Sequence, residues 1–487
     1  MTFVTITFFI FLLAAFFCYF VTKKPYRWMV LLGFSVLFYL FAGYEKLLFV
    51  LIAALIAYLV GKYATKRNLI FGIIGVVGLL FYAKAGEAIY LALSLKGSVI
   101  VPLGISYYSF SVIGYMLDVY YKKTKPEENF FHFLLYMIYF PQILEGPIPR
   151  YKSLMPKLLK GEDFSYERVC FGLQRMVWGY FKKLVIADRI AIYTGEIFGN
   201  YKSYSGIYYF TAILLSSLQL YADFSGCMDI ALGVSECFGI TLDENFKRPF
   251  FSKTAAEFWR RWHITLGTFF KDYVYMHIAI SPKLLKLSKT AKEKISKEFG
   301  KSLITVIPLS VVWILTGLWH GTGADYILWG CYWGVIIIIS SVFGKKLKAL
   351  PKVLSIDTSS KAYQRAQMIR TFFIFSGARL LTAPGDLGVS WYLLKRMFLP
   401  WHLSEYFSGG ALVNDMTLVD VAILFISIMI LYVVSSLQEK GIKIREKIAS
   451  YSILLRWVFY YGLIFATLVF GIYGPGFKSS DFVYIQF

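Results

Sequence analysis

Apolar runs recur along the chain from residue 4 to residue 473, separated by short polar and basic loops. A helix of about 17–25 predominantly apolar residues is long enough to cross a bilayer. Twelve stretches are candidate spans: 4–21, 28–43, 47–62, 69–83, 100–120, 168–192, 206–222, 303–320, 325–343, 368–382, 418–436 and 453–473. The pattern predicts an all-α, multi-pass protein of the cell membrane, with about 11–12 crossings.

Positive charge lies in the loops between these runs. Basic loops occupy 23–27, 61–67, 122–125, 283–301, 345–348 and 439–447. Placing them in the cytoplasm puts the N-terminus outside. The net charge of +22, with 58% hydrophobic and only 16% charged residues, therefore favours a membrane topology signal over nucleic-acid binding.

The segment 130–149 does not fit the regular count. It is apolar but ends in YFPQILEGPIPRY, where Pro141, Pro147 and Pro149 would interrupt a helix. Irregular backbone at membrane depth requires cover from protein or a water-filled cavity. We expect a re-entrant or interfacial element; a kinked ordinary span is the alternative.

The remaining features indicate one membrane domain, 1–487, with N-terminal helices at 1–95, a core at about 100–343 and C-terminal helices at about 366–487. The first run lacks a small-residue cleavage site, so we expect a retained span. Five scattered cysteines form no CxxC motif, which favours neither a disulfide framework nor a metal site. We expect no bound cofactor.

His263 lies in a strongly aromatic, charged segment. Thr254 and Glu257 have capping-box spacing, and Glu257 and Arg261 are four residues apart. Trp259, His263, Leu266 and Phe270 recur at helical spacing, which predicts one amphipathic helix at the membrane surface. A functional histidine and a structural one in an interfacial anchor are both consistent with this pattern.

His320 ends the apolar run 304–319. Gly321 and Gly323 follow it and should break the helix, and Thr322 or Asp325 could cap the next one. A neutral imidazole at such a position can accept a proton from a hydroxyl group. The alternative is a histidine that hydrogen-bonds a helix end.

Asp223 and Asp229 interrupt another apolar segment that also carries Ser225, Gly226 and Cys227. Acids within the membrane suggest a polar path, a helix contact or an ion site. The neighbouring small residues favour close helix packing. Ser225 and Cys227 lie in no nucleophile motif, so no covalent intermediate is expected on them.

Five motifs occur in an order that resembles the membrane-bound O-acyltransferase family: VPLGISYYSFSVIGYMLDVYY (101–121), YFPQILEGPIPRY (139–151), YADFSGCMDIALGVSECFGI (221–240), ENFKRPFFSKTAAEFWRRWHITLGTFFKDYVY (244–275) and LWHG (318–321). His263 and His320 resemble the paired active-site positions of the family. RTFFIFSGARLL (370–381) and the ending DFVYIQF resemble the alginate O-acetylation branch, and FFKDYVYMHIAIS also resembles the branch that transfers D-alanyl groups to teichoic acids.

The resemblance implies a ring of tilted helices with re-entrant elements around a central funnel. It implies that an acetyl group passes from a cytoplasmic thioester to the hydroxyl of a cell-surface or exported polysaccharide. The implied donor substrate is acetyl-CoA or an acylated carrier protein, and the implied partner is a secreted or membrane-anchored acetyltransferase. His320 would be the general base, and His263 would position the donor or polarise its carbonyl.

Supporting substrate contacts are expected from Trp319, Asp325, Trp259, Arg261 and Arg260. Two other functions remain open, the first from the family resemblance and the second from the residues. One is D-alanyl transfer to teichoic acids from an acyl-carrier protein. The other is a transporter without acyl-transfer chemistry, although the hydropathy pattern has no inverted repeat.

Overall fold

A computed structural model describes residues 2–94, 99–353, 355–399, 401–413, 416–473 and 482. The described residues are helical apart from turns, loops and one isolated antiparallel bridge between Phe246 and Trp262, and they contain no strand. The all-α prediction is therefore confirmed. Most of the ending DFVYIQF lies outside the described residues.

The first half of the chain forms eleven α-helices within the described ranges. They are α1 (Ile6–Val21), α2 (Arg27–Leu40), α3 (Tyr44–Lys62), α4 (Lys66–Ala92), α5 (Ile105–Tyr120), α6 (Phe130–Ile138), α7 (Phe140–Ile143), α8 (Tyr151–Lys160), α9 (Tyr166–Tyr180), α10 (Asp188–Gly199) and α11 (Ile207–Cys237). A π-helical segment, Phe181–Ala187, joins α9 to α10.

The second half continues the helical pattern. Its helices are α12 (Ala255–Arg261), α13 (Ile264–Phe270), α14 (Met276–Ala279), α15 (Pro282–Lys294), α16 (Lys297–His320), α17 (Ala324–Val342), α18 (Gly344–Val353), α19 (Lys361–Thr382), α20 (Leu387–Arg396), α21 (Leu403–Glu405), α22 (Leu418–Glu439), α23 (Ile444–Ala449) and α24 (Ile453–Phe470). Further π-helical segments are Lys271–Tyr275 and Tyr406–Gly410, and 3₁₀ turns are Lys24–Tyr26, Tyr201–Ser203 and Pro249–Phe251.

The chain divides into two compact units. Unit 1 comprises 1–184, 223–244 and 445–487, and unit 2 comprises 185–222 and 245–444. Each unit contains helices from distant parts of the sequence. The single membrane domain 1–487 with three groups of helices, which the sequence suggested, stays a prediction.

Six described helices are long and apolar enough to cross a membrane: α3, the 66–87 part of α4, α16, α17, α22 and α24. Their outward side chains are mostly apolar, as expected for a protein with lipid as its solvent. The chain is thus a multi-pass integral membrane protein. The crossing number of about 11–12 and the central funnel stay predictions.

The predicted break at 130–149 is confirmed. α6 ends at Ile138, Tyr139 leaves helical geometry, and α7 is followed by irregular backbone. Residues 133–149 are all buried, and the N–H of Phe140 donates to Ser35 Oγ at 3.1 Å. Protein therefore covers the interruption, as irregular backbone in an apolar setting requires. Its membrane depth stays a prediction.

The predicted span 168–192 is helical throughout but not one regular α-helix, and its crossing of the membrane stays a prediction. α9 gives way to the π segment, which carries Lys182 and Lys183 into the interior of unit 1. A π-helical turn changes the directions of neighbouring side chains, and both ammonium groups form ion pairs with acids on α11. The predicted span 100–120 is also shorter, since α5 begins only at Ile105, after Gly104 in left-handed geometry.

The acids of α11 serve packing, as the sequence favoured. Lys183 Nζ lies 2.6 Å from Asp223 Oδ1, and both side chains are buried. Asp229 accepts from Arg175 Nε at 2.9 Å and from Lys182 Nζ at 2.7 Å. Removing one partner of such buried pairs leaves a charge without compensation, which is strongly destabilising.

Glycines allow α9 and α11 to approach this closely. A Cβ atom on Gly179 would lie 2.6 Å from the carbonyl oxygen of Gly226, and one on Gly172 would lie 2.6 Å from that of Gly233. These are backbone contacts, so they cannot be relieved by side-chain motion. The paired glycines are therefore required for the ion pairs to form.

We predict that Gly179→Ala lowers the thermal unfolding temperature of the purified protein. The added methyl group meets backbone, and overpacking of this kind costs about 1–3 kcal/mol. Gly195→Ala is the matched control, since a Cβ atom there meets nothing within 4 Å. Equal unfolding temperatures for wild type and Gly179→Ala would contradict the close approach.

Candidate active site

His263 lies at a helix break and not within a helix. α12 ends at Arg261, Trp262 is extended, and α13 begins at Ile264. His263 itself has φ +47°, in the left-handed region that non-glycine residues rarely adopt. The predicted single amphipathic helix through 254–270 is therefore wrong.

Asn245 holds this break in place. Its backbone carbonyl accepts from the N–H of Ile264 at 3.0 Å, and its side-chain oxygen accepts from the N–H and hydroxyl of Thr265 at 3.0 and 2.9 Å. Lys247 N–H donates to the carbonyl of Arg261 at 2.9 Å. The segment 245–247 thus supplies the backbone partners that a continuous helix would have supplied from within itself.

The start of α12 agrees with the sequence prediction in part. Thr254 Oγ1 accepts from the N–H of Glu257 at 3.1 Å, as in a capping box. The Glu257 carboxylate accepts from the N–H of Lys253, one residue earlier than the motif requires. Glu257 also pairs with Arg261 at 2.7 Å, which confirms the four-residue spacing.

Arg261 has a second partner that the sequence did not indicate. Glu439, at the end of α22, accepts from Arg261 Nη1 at 2.9 Å and from Arg248 Nε at 2.7 Å. The guanidinium of Arg261 is thus held between two carboxylates. Arg260, by contrast, is exposed.

His320 is the last residue of α16, as predicted. Gly321 ends the helix, and its N–H donates to the carbonyl of Gly317 at 3.2 Å. A Cβ atom on Gly321 would lie 2.3 Å from the ring of Tyr326, so only glycine fits there. Gly323 precedes α17 as its N-cap, and Asp325 lies in the first turn, so the predicted capping by Thr322 or Asp325 is wrong.

Trp319 brings the two histidines into one cluster. Its ring centroid lies 5.8 Å from that of His263 and 4.7 Å from that of His320. Trp329 of α17 lies 4.8 Å from His320 and 5.8 Å from Trp259, both edge to face. Four of the residues singled out in the sequence therefore meet within unit 2: Trp259, His263, Trp319 and His320.

Both imidazoles are buried, His263 with 1% and His320 with 7% of its surface exposed. His263 lies outside the candidate membrane spans, and burial lowers the pKa of its imidazole to about 3. The group is therefore neutral at physiological pH, with one ring nitrogen able to donate and the other able to accept a hydrogen bond.

Tryptophans extend the cluster behind the histidines. Trp313, Trp329 and Trp333 surround Trp259, with centroid distances of 4.9, 5.8 and 5.0 Å. The indole N–H of Trp259 is buried and meets no acceptor among the described residues. The spacing of Trp329 and Trp333, four residues apart on α17, was the available signal for this wall.

The sequence of the chain is similar to those of known acyltransferases. A family model described as MBOAT, membrane-bound O-acyltransferase family, matches residues 122–292. The chain is 30% identical over 376 residues to a peptidoglycan O-acetyltransferase of Helicobacter pylori, with 68% of each chain covered.

Two further relatives have names that give different acyl groups. A probable alginate O-acetylase, AlgI, of Pseudomonas aeruginosa is 29% identical over 409 residues, covering 80% of this chain and 73% of the relative. A teichoic acid D-alanyltransferase of Bacillus subtilis is 29% identical over 264 residues, covering 51% and 62%.

We predict that His263 makes folding stability fall as the pH is lowered. The unfolded imidazole has a pKa of about 6.5, and the folded one is lower, so the unfolded state binds more protons below that value. The stability contributed by neutral His263 is complete above pH ~6.5 and declines by up to about 1.4 kcal/mol per pH unit as the pH falls toward the folded pKa.

Thermal unfolding of wild type and His263→Asn between pH 4 and 8 measures this contribution. Asparagine tolerates left-handed backbone and does not titrate. The unfolding temperature of wild type should drop more steeply below pH 6.5 than that of the variant. Parallel curves would show that His263 is not buried in the neutral form.

Proposed function

The chain belongs to the membrane-bound O-acyltransferase family, and from this premise we propose that it transfers acetyl groups for O-acetylation of a cell-surface or exported polysaccharide. The alginate and peptidoglycan relatives support the acetyl group and the carbohydrate acceptor. The structural observation that carries the proposal is the contact of His263 and His320 with one ring, that of Trp319.

We assign His320 as the general base. Its imidazole takes the proton of the acceptor hydroxyl while the oxygen attacks the thioester carbonyl carbon; the carbon–sulfur bond then breaks, and the leaving thiolate takes that proton from the imidazolium. Positioned general bases contribute about 10²–10⁴-fold to such reactions. The end of α16 suits this role, because the helix stops at His320 and the imidazole lies against the rings of Trp319 and Trp329.

We assign His263 to the carbonyl side of the reaction. A neutral imidazole can donate a hydrogen bond to the oxygen that becomes negative in the transition state. The left-handed backbone at His263, held by Asn245, fixes the direction of the side chain before substrate arrives. Trp259 supplies a second candidate donor through its buried indole N–H.

The aromatic wall supports the exclusion of water. Trp319 and Trp329 cover the two imidazoles, and Trp313 and Trp333 lie behind them. A water-poor site strengthens hydrogen bonds to developing charge and limits hydrolysis of the thioester. Trp319 is thus a positioning residue for both histidines.

The proposed donor is acetyl-CoA or an acylated carrier protein, delivered from the cytoplasm. Arg260 is exposed next to the site segment and suits long-range attraction of an anionic donor. Arg261 is paired with Glu257 and Glu439, so we assign it to holding α12 against α22. Asp325 stays a candidate contact in the first turn of α17.

The acetyl group crosses to the outer side in this proposal, where a secreted or membrane-anchored acetyltransferase completes the transfer to the polysaccharide. D-alanyl transfer to teichoic acids is the second candidate function. The teichoic acid D-alanyltransferase relative favours it, although it covers a smaller part of the chain than the acetylase relatives.

We predict that His320→Ala abolishes polysaccharide O-acetylation at unchanged protein level. Ester content of the cell-surface polysaccharides, measured by NMR and mass spectrometry, should fall to the level of a gene deletion. His402→Ala is the matched control, since His402 is exposed. Loss of D-alanyl esters in place of acetyl esters would establish the second candidate.

Esters retained in His320→Ala but lost in the deletion would remove His320 from catalysis. That result would support a transport function without acyl-transfer chemistry.

We predict that Arg260→Gln raises the KM for acetyl-CoA severalfold at low ionic strength and leaves kcat nearly unchanged. The difference should shrink at about 0.5 M salt, because the attraction between exposed charges then reaches well under the ~10 Å that it reaches at about 0.1 M salt. Lys345→Gln is the control for loss of an exposed positive charge in the same unit. A KM that does not change would exclude Arg260 from donor attraction.

A further inference from the structure

A basic cavity in unit 1 is separate from the residues assigned to catalysis. It has a volume of about 660 Å³ and lies where α3 and α5 end and α8 begins. Five lysines line it: Lys62, Lys122, Lys123, Lys125 and Lys152. Its other lining residues include Val119, Tyr120 and Pro126, so charged and apolar groups share one wall.

Little negative charge offsets these lysines. Lys123 Nζ lies 4.0 Å from Asp118 Oδ1. The other four lysines are exposed and form no ion pair within the part of the chain that the structure describes. The nearby carboxylate of Glu127 is turned to the hydroxyl of Tyr151 and to the imidazole of His132.

The turn after α5 places lysine where glycine would be the ordinary choice. Lys122 has φ +56°, and the N–H groups of Lys122 and Lys123 donate to the carbonyls of Val119 and Asp118 at 2.9 and 2.7 Å. This is a Schellman cap, whose left-handed position usually holds glycine because a side chain there costs stability. A strained lysine facing a cavity suggests that its charge is needed.

The start of α8 adds to the positive potential. Lys152 lies in the first turn, which contains no acidic residue. The N-terminus of a helix carries partial positive charge and normally favours acids there. Lys152 is thus unfavourable for the helix by itself and favourable for an anion in the cavity.

We propose that this cavity binds the phosphate group of an anionic phospholipid. α3, which ends at Lys62, is a candidate membrane span, so the cavity lies at the end of a membrane-crossing helix. The lysines supply charge for the headgroup, and Val119, Tyr120 and Pro126 supply apolar contact for the glycerol end of the lipid. None of these residues belongs to the proposed active site.

The test uses the purified full-length protein in non-ionic detergent, with binding measured by native mass spectrometry. The probes are dioctanoyl phosphatidylglycerol, dioctanoyl phosphatidylcholine and inorganic pyrophosphate. The variant Lys122→Gln/Lys125→Gln/Lys152→Gln should bind phosphatidylglycerol at least about tenfold more weakly than wild type, since each lysine adds to attraction of an anionic headgroup. The corresponding triple arginine variant should retain binding.

The matched control removes three exposed lysines from α15 by Lys283→Gln/Lys286→Gln/Lys289→Gln. Equal loss of lipid binding in this control would overturn the proposal, because it would show that binding depends only on the net charge of the protein. Equal binding of phosphatidylcholine, or unchanged binding by the cavity variant, would overturn it as well. If the lysines bound pyrophosphate but not phosphatidylglycerol, the cavity would recognise phosphate, and the proposal that the phosphate belongs to a lipid would be overturned.

The variant Lys122→Gly distinguishes an effect on lipid binding from an effect on folding stability. Glycine relieves the left-handed strain, so the thermal unfolding temperature should rise or stay equal. Phosphatidylglycerol affinity should nevertheless fall, by about threefold or more for the loss of one lysine near a headgroup. A variant that is less stable and binds lipid as well as wild type would show that Lys122 is only structural.

Discussion

In an apolar solvent, a protein must satisfy its own backbone hydrogen bonds, and this constraint shapes the whole chain. Helices satisfy it locally, which explains why the described residues form helices almost throughout. Each interruption then needs partners from elsewhere. Ser35 supplies one at the break after α6, and Asn245 supplies several at the break before α13. At these two interruptions the surrounding protein supplies the missing partners.

The candidate active site consists of two such interruptions. His263 lies at a left-handed break and His320 at a helix end, and Trp319 contacts both rings. A break directs one side chain out of the regular helical spacing and holds it there, which is what preorganised catalysis requires. Burial keeps the pKa of His263 low, so the same packing that orients the imidazole also sets its protonation state.

Charged residues have opposite roles in the interior and at the surface of unit 1. Lys182, Lys183 and Arg175 are compensated by acids of α11, and glycines let the two helices approach closely enough for this. In the basic cavity, four lysines form no ion pair within the described residues (Lys62, Lys122, Lys125 and Lys152), whereas Lys123 pairs with Asp118. Buried charge therefore fixes the helix packing of unit 1, whereas exposed charge is left for a ligand.

The sequence by itself determined the helical membrane class, the break near Pro141, the helix end at His320 and the family resemblance, because these follow from local composition and from motif order. Local spacing also suggested a continuous helix through His263, and there it failed. That break depends on Asn245, and the ion pair of Arg261 depends on Glu439, 178 positions away in the chain. Only the tertiary structure decided these features, since the left-handed backbone at His263 and the second ion pair of Arg261 depend on partners outside their own helices.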